Sequence, residues 1–435
     1  RERERDRQRE SVRLGSSPVA LMKKREAPDA VEGELGAREK QCKLGNTGCD
    51  GAPACIARLN TMPFGSQAFR DLFLLSPNIR FLNHGSFGAT PKVVLGKQRQ
   101  LINQLESHPD QWFRRAVIPM VRNSAAELAK FVGANKEDLV FVQNATTGIN
   151  AVLRSLELHQ GDGVLCLSLH YRPILTTLRQ TCEYKQEIIE LRELEIAYPI
   201  PTADELCQQV DAALAQKPHI RLAVFDHITS PSALVLPIER LVKICRRHDV
   251  RVLIDGAHAP GQIPLDLNRL NADYYVGTCH KWLFSPKGSA FLWAKREVQS
   301  VVCPLVTVAW GGDFIDGFSY QGTRDETAFA CVGTALRMYH VMGVERTMER
   351  NRQMAEEMGA YLAALWGTQT LAPKCMQGSF MSTIQLPMNA ECSGFVFGTR
   401  HQCQECDHLR DVLLRQFQIE ASMIFHYKGR LWIRI

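Results

Sequence analysis

Between Asp273 and Lys287 the sequence runs YYVGTCHKWLFSP, and Lys281 is the one full charge in it. An ammonium among Val, Cys, Trp, Leu and Phe is costly unless it is paired or gives up its proton. Desolvation lowers a lysine pKa, and a neutral amine is a nucleophile toward carbonyl carbon. Thr278 and His280 stand just before it. In VRVLIDGAHAPGQ, Asp255 closes an apolar run and His258 follows three residues on. In LVFVQNATTGIN, another apolar run gives way to hydroxyls at Thr146 and Thr147, where a helix would open.

These parts call for one ligand. Backbone N–H groups at a helix start, joined by threonine hydroxyls, suit a phosphate. A buried carboxylate suits a basic heteroaromatic nitrogen, and a neutral amine suits an aldehyde. Pyridoxal 5'-phosphate offers all three. Lys281 would hold it as a Schiff base, and Asp255 would keep the pyridine nitrogen protonated, so that the ring draws electrons from the substrate. Each group alone has an ordinary explanation. A strand-end Asp is commonly a turn or cap residue, threonines commonly cap helices, and a loop His is commonly a satisfied structural group. Their order within one segment is what favours a cofactor.

Such side chains meet if they lie at the carboxyl ends of parallel strands, where open α/β sheets bind ligands. The runs DLVFVQ, GVLCLSL, RLAVFDHI, VRVLID, DYYVG and SAFLWA read as buried strands. Between them, TADELCQQVDAALAQK and PIERLVKICRRHD read as amphipathic helices, the second with Leu241, Ile244 and Cys245 on one face. This alternation from Asp138 to Lys295 predicts an α/β fold with a mostly parallel sheet flanked by helices. One long helical stretch from GTALRMYHV to LAALWG follows, then strands STIQLP and RLWIRI. The expected organisation is a large cofactor-binding domain over residues 62–330, with 62–90 packing on a smaller α/β C-terminal domain over 331–435. Residues 1–61 carry dense mixed charge and few aromatics, which predicts a disordered arm. The chain opens without Met and stops within a strand-like run, so we expect the C-terminal domain to be truncated.

Composition narrows the partners. A net charge of +6 over 435 residues, not gathered into a patch, argues against nucleic acid. No apolar run is long enough to span a membrane. Fourteen scattered cysteines suit a reducing, cytoplasmic setting. The acidic residues of the arm argue against a mitochondrial presequence, although a mitochondrial compartment is left open. HQCQECDHL sets His401, Cys403, Cys406 and His408 close together, but a single CxxC without a second pair is weak evidence for zinc, and no metal is expected. No Gly-rich turn after a strand supports a dinucleotide site.

FLNHGSFGATP, NATTGINAVLRSL, DHITSPSALVLPI, LIDGAHAPGQIPLDL, ADYYVGTCHKWLFSPKGSAFLW and QGTRDETAF together resemble the class V aminotransferase family, in its isopenicillin N epimerase-like branch. The resemblance covers residues 64–435 and implies the aminotransferase-type fold (fold type I). It implies that Lys281 forms the Schiff base, Asp255 partners the pyridine nitrogen and His258 bonds the ring hydroxyl. Thr146, Thr147, Thr278 and His280 match cofactor-binding positions, and Tyr171 falls where the family stacks a ring, although Arg172 and Pro173 depart from its usual small residues. Gly322 and Thr323 match a segment that reaches the phosphate from the other subunit, which implies a homodimer. Arg434 matches the substrate-carboxylate position, and Asn83, His84 and Gly85 match a loop near an amino-acid substrate.

With the lysine as base at the substrate Cα, the resemblance leaves epimerisation, β-elimination and transamination open, and favours an epimerase-like or cysteine-desulfhydrase-like outcome. Persulfide chemistry is disfavoured, because RQFQIEASMIFHYKGRLWIR carries no cysteine ahead of Arg434 and Cys406 lies on the far side of a helix. Cys279 reads as a small buried hydrophobe. The contrasting reading is a non-catalytic relative that uses the scaffold to bind partners. Retention of both Lys281 and Asp255 argues against it.

Overall fold

The computed structural model describes residues 59–184, 189–308, 313–387, 404–422 and 424–435. The charged arm up to residue 58, and His401 with Cys403, lie outside the described residues. Packing is already established at Leu59, three residues ahead of the expected boundary, because its side chain is buried with Val94, Leu101, Trp112 and Met342.

Seven strands form the main sheet: β1 Leu139–Val142, β2 Gly163–Leu167, β3 Glu190–Leu194, β4 Ile220–Asp226, β5 Arg251–Gly256, β6 Tyr274–Thr278 and β7 Ala290–Ala294. Their order is β1-β7-β6-β5-β4-β2-β3. Only β7 runs antiparallel to its neighbours. The central strands are largely apolar because successive side chains feed opposite faces, both of them covered. Leu139, Phe141, Ala223, Phe225, Val252 and Ile254 enter one apolar cluster. Val140, Val142, Leu222, Val224 and Leu253 enter a second. Helices α1 Lys92–Ser107, α2 Val117–Phe131, α3 Ala145–Ser155, α4 Arg172–Tyr184, α5 Ala203–Gln216 and α6 Ile238–Arg247 surround the sheet. Helices α3 and α4 supply the second cluster, through Ile149, Val152, Ile174 and Leu178. Helices α2, α5 and α6 supply the first, through Leu128, Val210 and Leu241.

The structure adds β3, which the sequence reading passed over. Its sequence ELREL is half-buried and paired on one side only, so polar residues are tolerated where a central strand would exclude them. The structure also divides the expected long helix into α7 Val332–Met342 and α8 Val344–Trp366. The break is Gly343, at φ +85°, a conformation that glycine adopts without strain. Helix α7 packs with the large sheet: Val332 and Leu336 enter its first cluster, and the Tyr339 hydroxyl donates to the Gly261 carbonyl at 2.6 Å.

The C-terminal elements are β8 Thr383–Gln385, α9 Gln404–Phe417, β9 Ile424–Tyr427 and β10 Arg430–Arg434, the strands forming an antiparallel sheet β9-β10-β8. Lys428 and Gly429, at φ +50° and +73°, close the β9–β10 hairpin. Two positive-φ residues match the right-handed twist of the flanking strands, and this turn sets the register. Counting from it, Arg434 falls opposite Thr383 at the end of β10.

Candidate active site

Four of the strand ends deliver the polar groups. Asp226 closes β4 and Asp255 is the last residue but one of β5, the two in register as neighbours. Thr278 closes β6, with His280 and Lys281 in the turn that follows. After β1, Asn144 caps α3 by accepting from the Thr147 amide at 2.8 Å and the Thr147 hydroxyl at 3.1 Å. The amides of Ala145 and Thr146, in the first turn, have no intrahelical acceptor by position. These groups line a cavity of about 210 Å³, together with Ser86, Tyr171, Ser230 and His258.

The lysine amine lies 3.1 Å from His258 Nε2, and His258 Nδ1 accepts from the Trp282 indole at 3.3 Å. Burial, and then the charge of Arg434, lower the Lys281 pKa to about 8. Burial also lowers His258 well below the usual histidine range, with Lys281 and Arg434 adding to the effect. Asp255 moves the other way, to about 6, through burial and then repulsion from Asp226. The Ala257 amide donates to Asp255 at 3.0 Å and opposes that rise. Asp226 is partnered by buried His170 Nδ1, while His170 Nε2 has no partner among the described residues. Burial lowers the pKa of His170, but the attraction and hydrogen bond of Asp226 outweigh it and the net shift is upward.

Arg434 is 2% exposed, and no carboxylate among the described residues pairs with it. It donates to the Ser422 hydroxyl at 2.8 Å, to the Ser230 carbonyl, and to the Ser86 hydroxyl at 3.3 Å. Burial lowers its pKa to about 10. Such a guanidinium invites an anionic ligand. At the cavity wall, His280 donates from Nδ1 to the Ser289 carbonyl at 2.9 Å, and burial lowers its pKa to about 4. Its Nε2 is therefore bare until the ring takes a second proton, which a nearby phosphate would favour.

Residues 89–390 match the family model described as aminotransferase class-V. The chain belongs to the class V aminotransferase family. A probable L-cysteine desulfhydrase of Arabidopsis thaliana chloroplasts is 30% identical over 374 residues, covering 81% of this chain and 76% of that protein. The isopenicillin N epimerase of Amycolatopsis lactamdurans is 29% identical over 350 residues, covering 76% and 86%. Among solved structures, a C-DES variant with glycine covalently linked to its PLP cofactor superposes with a TM-score of 0.69 at 21% identity. It covers 84% of this chain and 94% of that one, and it supports the fold.

Within this class V chain, Lys281, Asp255, His258, Thr146, Thr278, His280 and Tyr171 come together on one cavity. Thr147 turns to Asn144 instead. Asn83 and His84 do not line the cavity; the His84 ring packs 4.8 Å from Trp282 and donates from Nε2 to the Lys281 carbonyl at 2.9 Å. Ser86 and Phe87, just beyond them, are the members of that loop that line the cavity. Gly85 lets the loop approach, since a Cβ there would meet Met381 Sδ at 2.8 Å and Trp282 at 3.1 Å. Gly322 and Thr323 do not line this cavity, and Thr323 is exposed. Asp226, His170, Ser86 and Ser230 escaped the sequence reading. Asp226 could have been found by the rule that found Asp255, since RLAVFD also ends a buried strand in a carboxylate. Ser86 and Ser230 gave no signal.

The donor set fits pyridoxal phosphate. It holds an amine whose pKa burial lowers to about 8, a buried carboxylate whose pKa burial raises to about 6, and free amides at the start of an 11-residue helix.

Proposed function

We propose that the chain is a pyridoxal-phosphate enzyme that removes the Cα proton of an amino acid, with an epimerase-like or cysteine-desulfhydrase-like outcome. The observation that carries the reading is the Lys281 amine, set in one cavity with Asp255 and 3.1 Å from His258. Bound there, the cofactor supplies an aldehyde for covalent linkage to an amine and a ring that accepts electron density from the substrate Cα. Asp255 holds a proton at the ring nitrogen, and His258 bonds the ring hydroxyl. Thr146, Thr278 and His280 hold the phosphate with the first turn of α3. Tyr171 covers a ring face. Arg434 binds the substrate carboxylate with Ser86 beside it, and the freed Lys281 amine takes the Cα proton.

The desulfhydrase relatives favour L-cysteine as the first substrate to examine. Elimination converts cysteine and water to pyruvate, ammonia and hydrogen sulfide, and needs no protein thiol. That agrees with a sequence without cysteine between Cys406 and Arg434. A homodimer, with Gly322 and Thr323 reaching the neighbouring site, is part of the proposal. Exposed Leu305, Val306, Val308 and Tyr320 are consistent with a contact surface there. Among the described residues no helix is long and apolar enough to cross a membrane, and all nine described cysteines are free thiols, which suits a reducing cytoplasm.

The test incubates purified protein with pyridoxal phosphate and L-cysteine in deuterium oxide. Equal pyruvate, ammonia and sulfide support elimination, and deuterated D-cysteine supports epimerisation. Absence of Cα exchange with L-cysteine and with a panel of other amino acids would overturn the proposal.

A further inference from the structure

A chain of three polar side chains runs from the indole of Trp282, through the His258 ring, to the amine of Lys281. An indole nitrogen can only donate, so His258 Nδ1, 3.3 Å away, must accept. A neutral imidazole that accepts at Nδ1 carries its hydrogen on Nε2. That hydrogen faces Lys281 Nζ at 3.1 Å. An amine can receive it through its lone pair, whereas an ammonium has none and would set N–H against N–H. We propose that Trp282 is a positioning residue, which fixes His258 as the Nε2–H tautomer and so holds Lys281 as the neutral, nucleophilic amine.

The surroundings support a fixed tautomer. Trp282 and His258 are both buried, so water does not compete for Nδ1. The indole is held between the His84 ring, 4.8 Å away, and Phe380, edge-on at 5.5 Å. The charges facing the amine divide. Asp255 and Asp226 favour the ammonium, while Arg434 opposes it. The neighbouring rings bring no further charge, since burial lowers both His84 and His280 to about 4. With carboxylates on one side and burial with Arg434 on the other, the direction of one N–H decides which form the site prefers. The same Nε2–H is the donor that a cofactor ring oxygen would accept, so one tautomer serves both states of the site. This rests on the reading of Lys281 as the cofactor-bearing amine.

The test uses the full chain freed of cofactor and labelled with ¹⁵N-histidine, the His258 signals being assigned by their loss in His258→Gln. Long-range ¹H–¹⁵N correlations report the tautomer, and the rate of covalent capture of pyridoxal phosphate against pH reports the amine. Trp282→Phe keeps an aromatic ring without the donor, and β-(3-benzothienyl)alanine at 282 keeps the indole shape without it. The native chain is expected to show only the Nε2–H tautomer. Both replacements should admit the Nδ1–H form and move the capture profile upward by about one pH unit. Capture at pH 7.5 then slows about tenfold, and rates converge in strong base. An Nδ1–H tautomer in the native chain, or replacement profiles that superimpose on the native one, would overturn the proposal. If the native chain captures no cofactor yet shows the Nε2–H tautomer, the cofactor reading fails and the tautomer assignment stands.

Discussion

Replacing Arg434 by methionine should separate binding from stability. Burial takes the guanidinium from its usual 12.5 to about 10. At about 1.4 kcal/mol for each tenfold, holding that charge in the fold costs about 3 kcal/mol. Methionine relieves this cost and keeps the buried volume, but it gives up the bonds to Ser422, Ser230 and Ser86. Those bonds come from a charged donor and are worth about 1.5 kcal/mol each, so their loss exceeds the relief by only about 1 kcal/mol and the melting temperature should stay within about 3 °C of the parent. Binding should behave differently. A carboxylate held by two charge-assisted bonds gains about 3 kcal/mol, or about 100-fold in affinity. Titrating the cofactor-loaded protein with L-alanine and with ethylamine, and reading the visible absorbance, gives both affinities. Arg434→Met should weaken L-alanine about 100-fold and ethylamine by less than about threefold. Equal weakening of both, or a melt lowered by more than about 10 °C, would show that Arg434 supports the fold and is not a carboxylate site.

Three further outcomes are expected. Asp255→Ala should still attach the cofactor but slow Cα hydrogen exchange by about 100-fold or more, as a neutral pyridine takes up charge poorly; unchanged exchange in an NMR assay would remove Asp255 from that role. The capture of pyridoxal phosphate by native protein should rise with pH through about 8, because the neutral fraction of Lys281 grows there, and a midpoint near 10.5 would contradict its burial. Stability carries the same sign: between those values the unfolded chain binds more protons than the folded one, so this group adds stability as pH rises across the window. Gly256→Ala should destabilise by about 1–3 kcal/mol, since its Cβ would stand 2.2 Å from the Tyr275 ring and the Tyr275 hydroxyl is tied to His227 at 2.9 Å. An unaltered denaturant midpoint would show that the ring moves freely.

Much of the site was legible because buried strands announce themselves twice. An unbroken apolar run gives the strand, and a charge at its end gives the site, which is how Lys281 and Asp255 emerged. The edge strand ELREL lacked that contrast, since pairing on one side only allows Glu190, Arg192 and Glu193 to stay partly in water. Gly343 was readable as a residue but not as a break, because glycine is tolerated inside helices. Ser86 and Ser230 were beyond reach for another reason. They meet Arg434 only when the hairpin turn at Lys428 and Gly429 sets the last strand against β8, and no local pattern encodes a contact between residues 204 and 348 positions apart.

The central claim is a cofactor linked to Lys281, and borohydride reduction of the purified, cofactor-incubated protein tests it most directly. A visible absorption band should disappear on reduction, with the added mass mapped by peptide sequencing to Lys281. A protein that stays colourless, or a label that maps to another lysine, would contradict it.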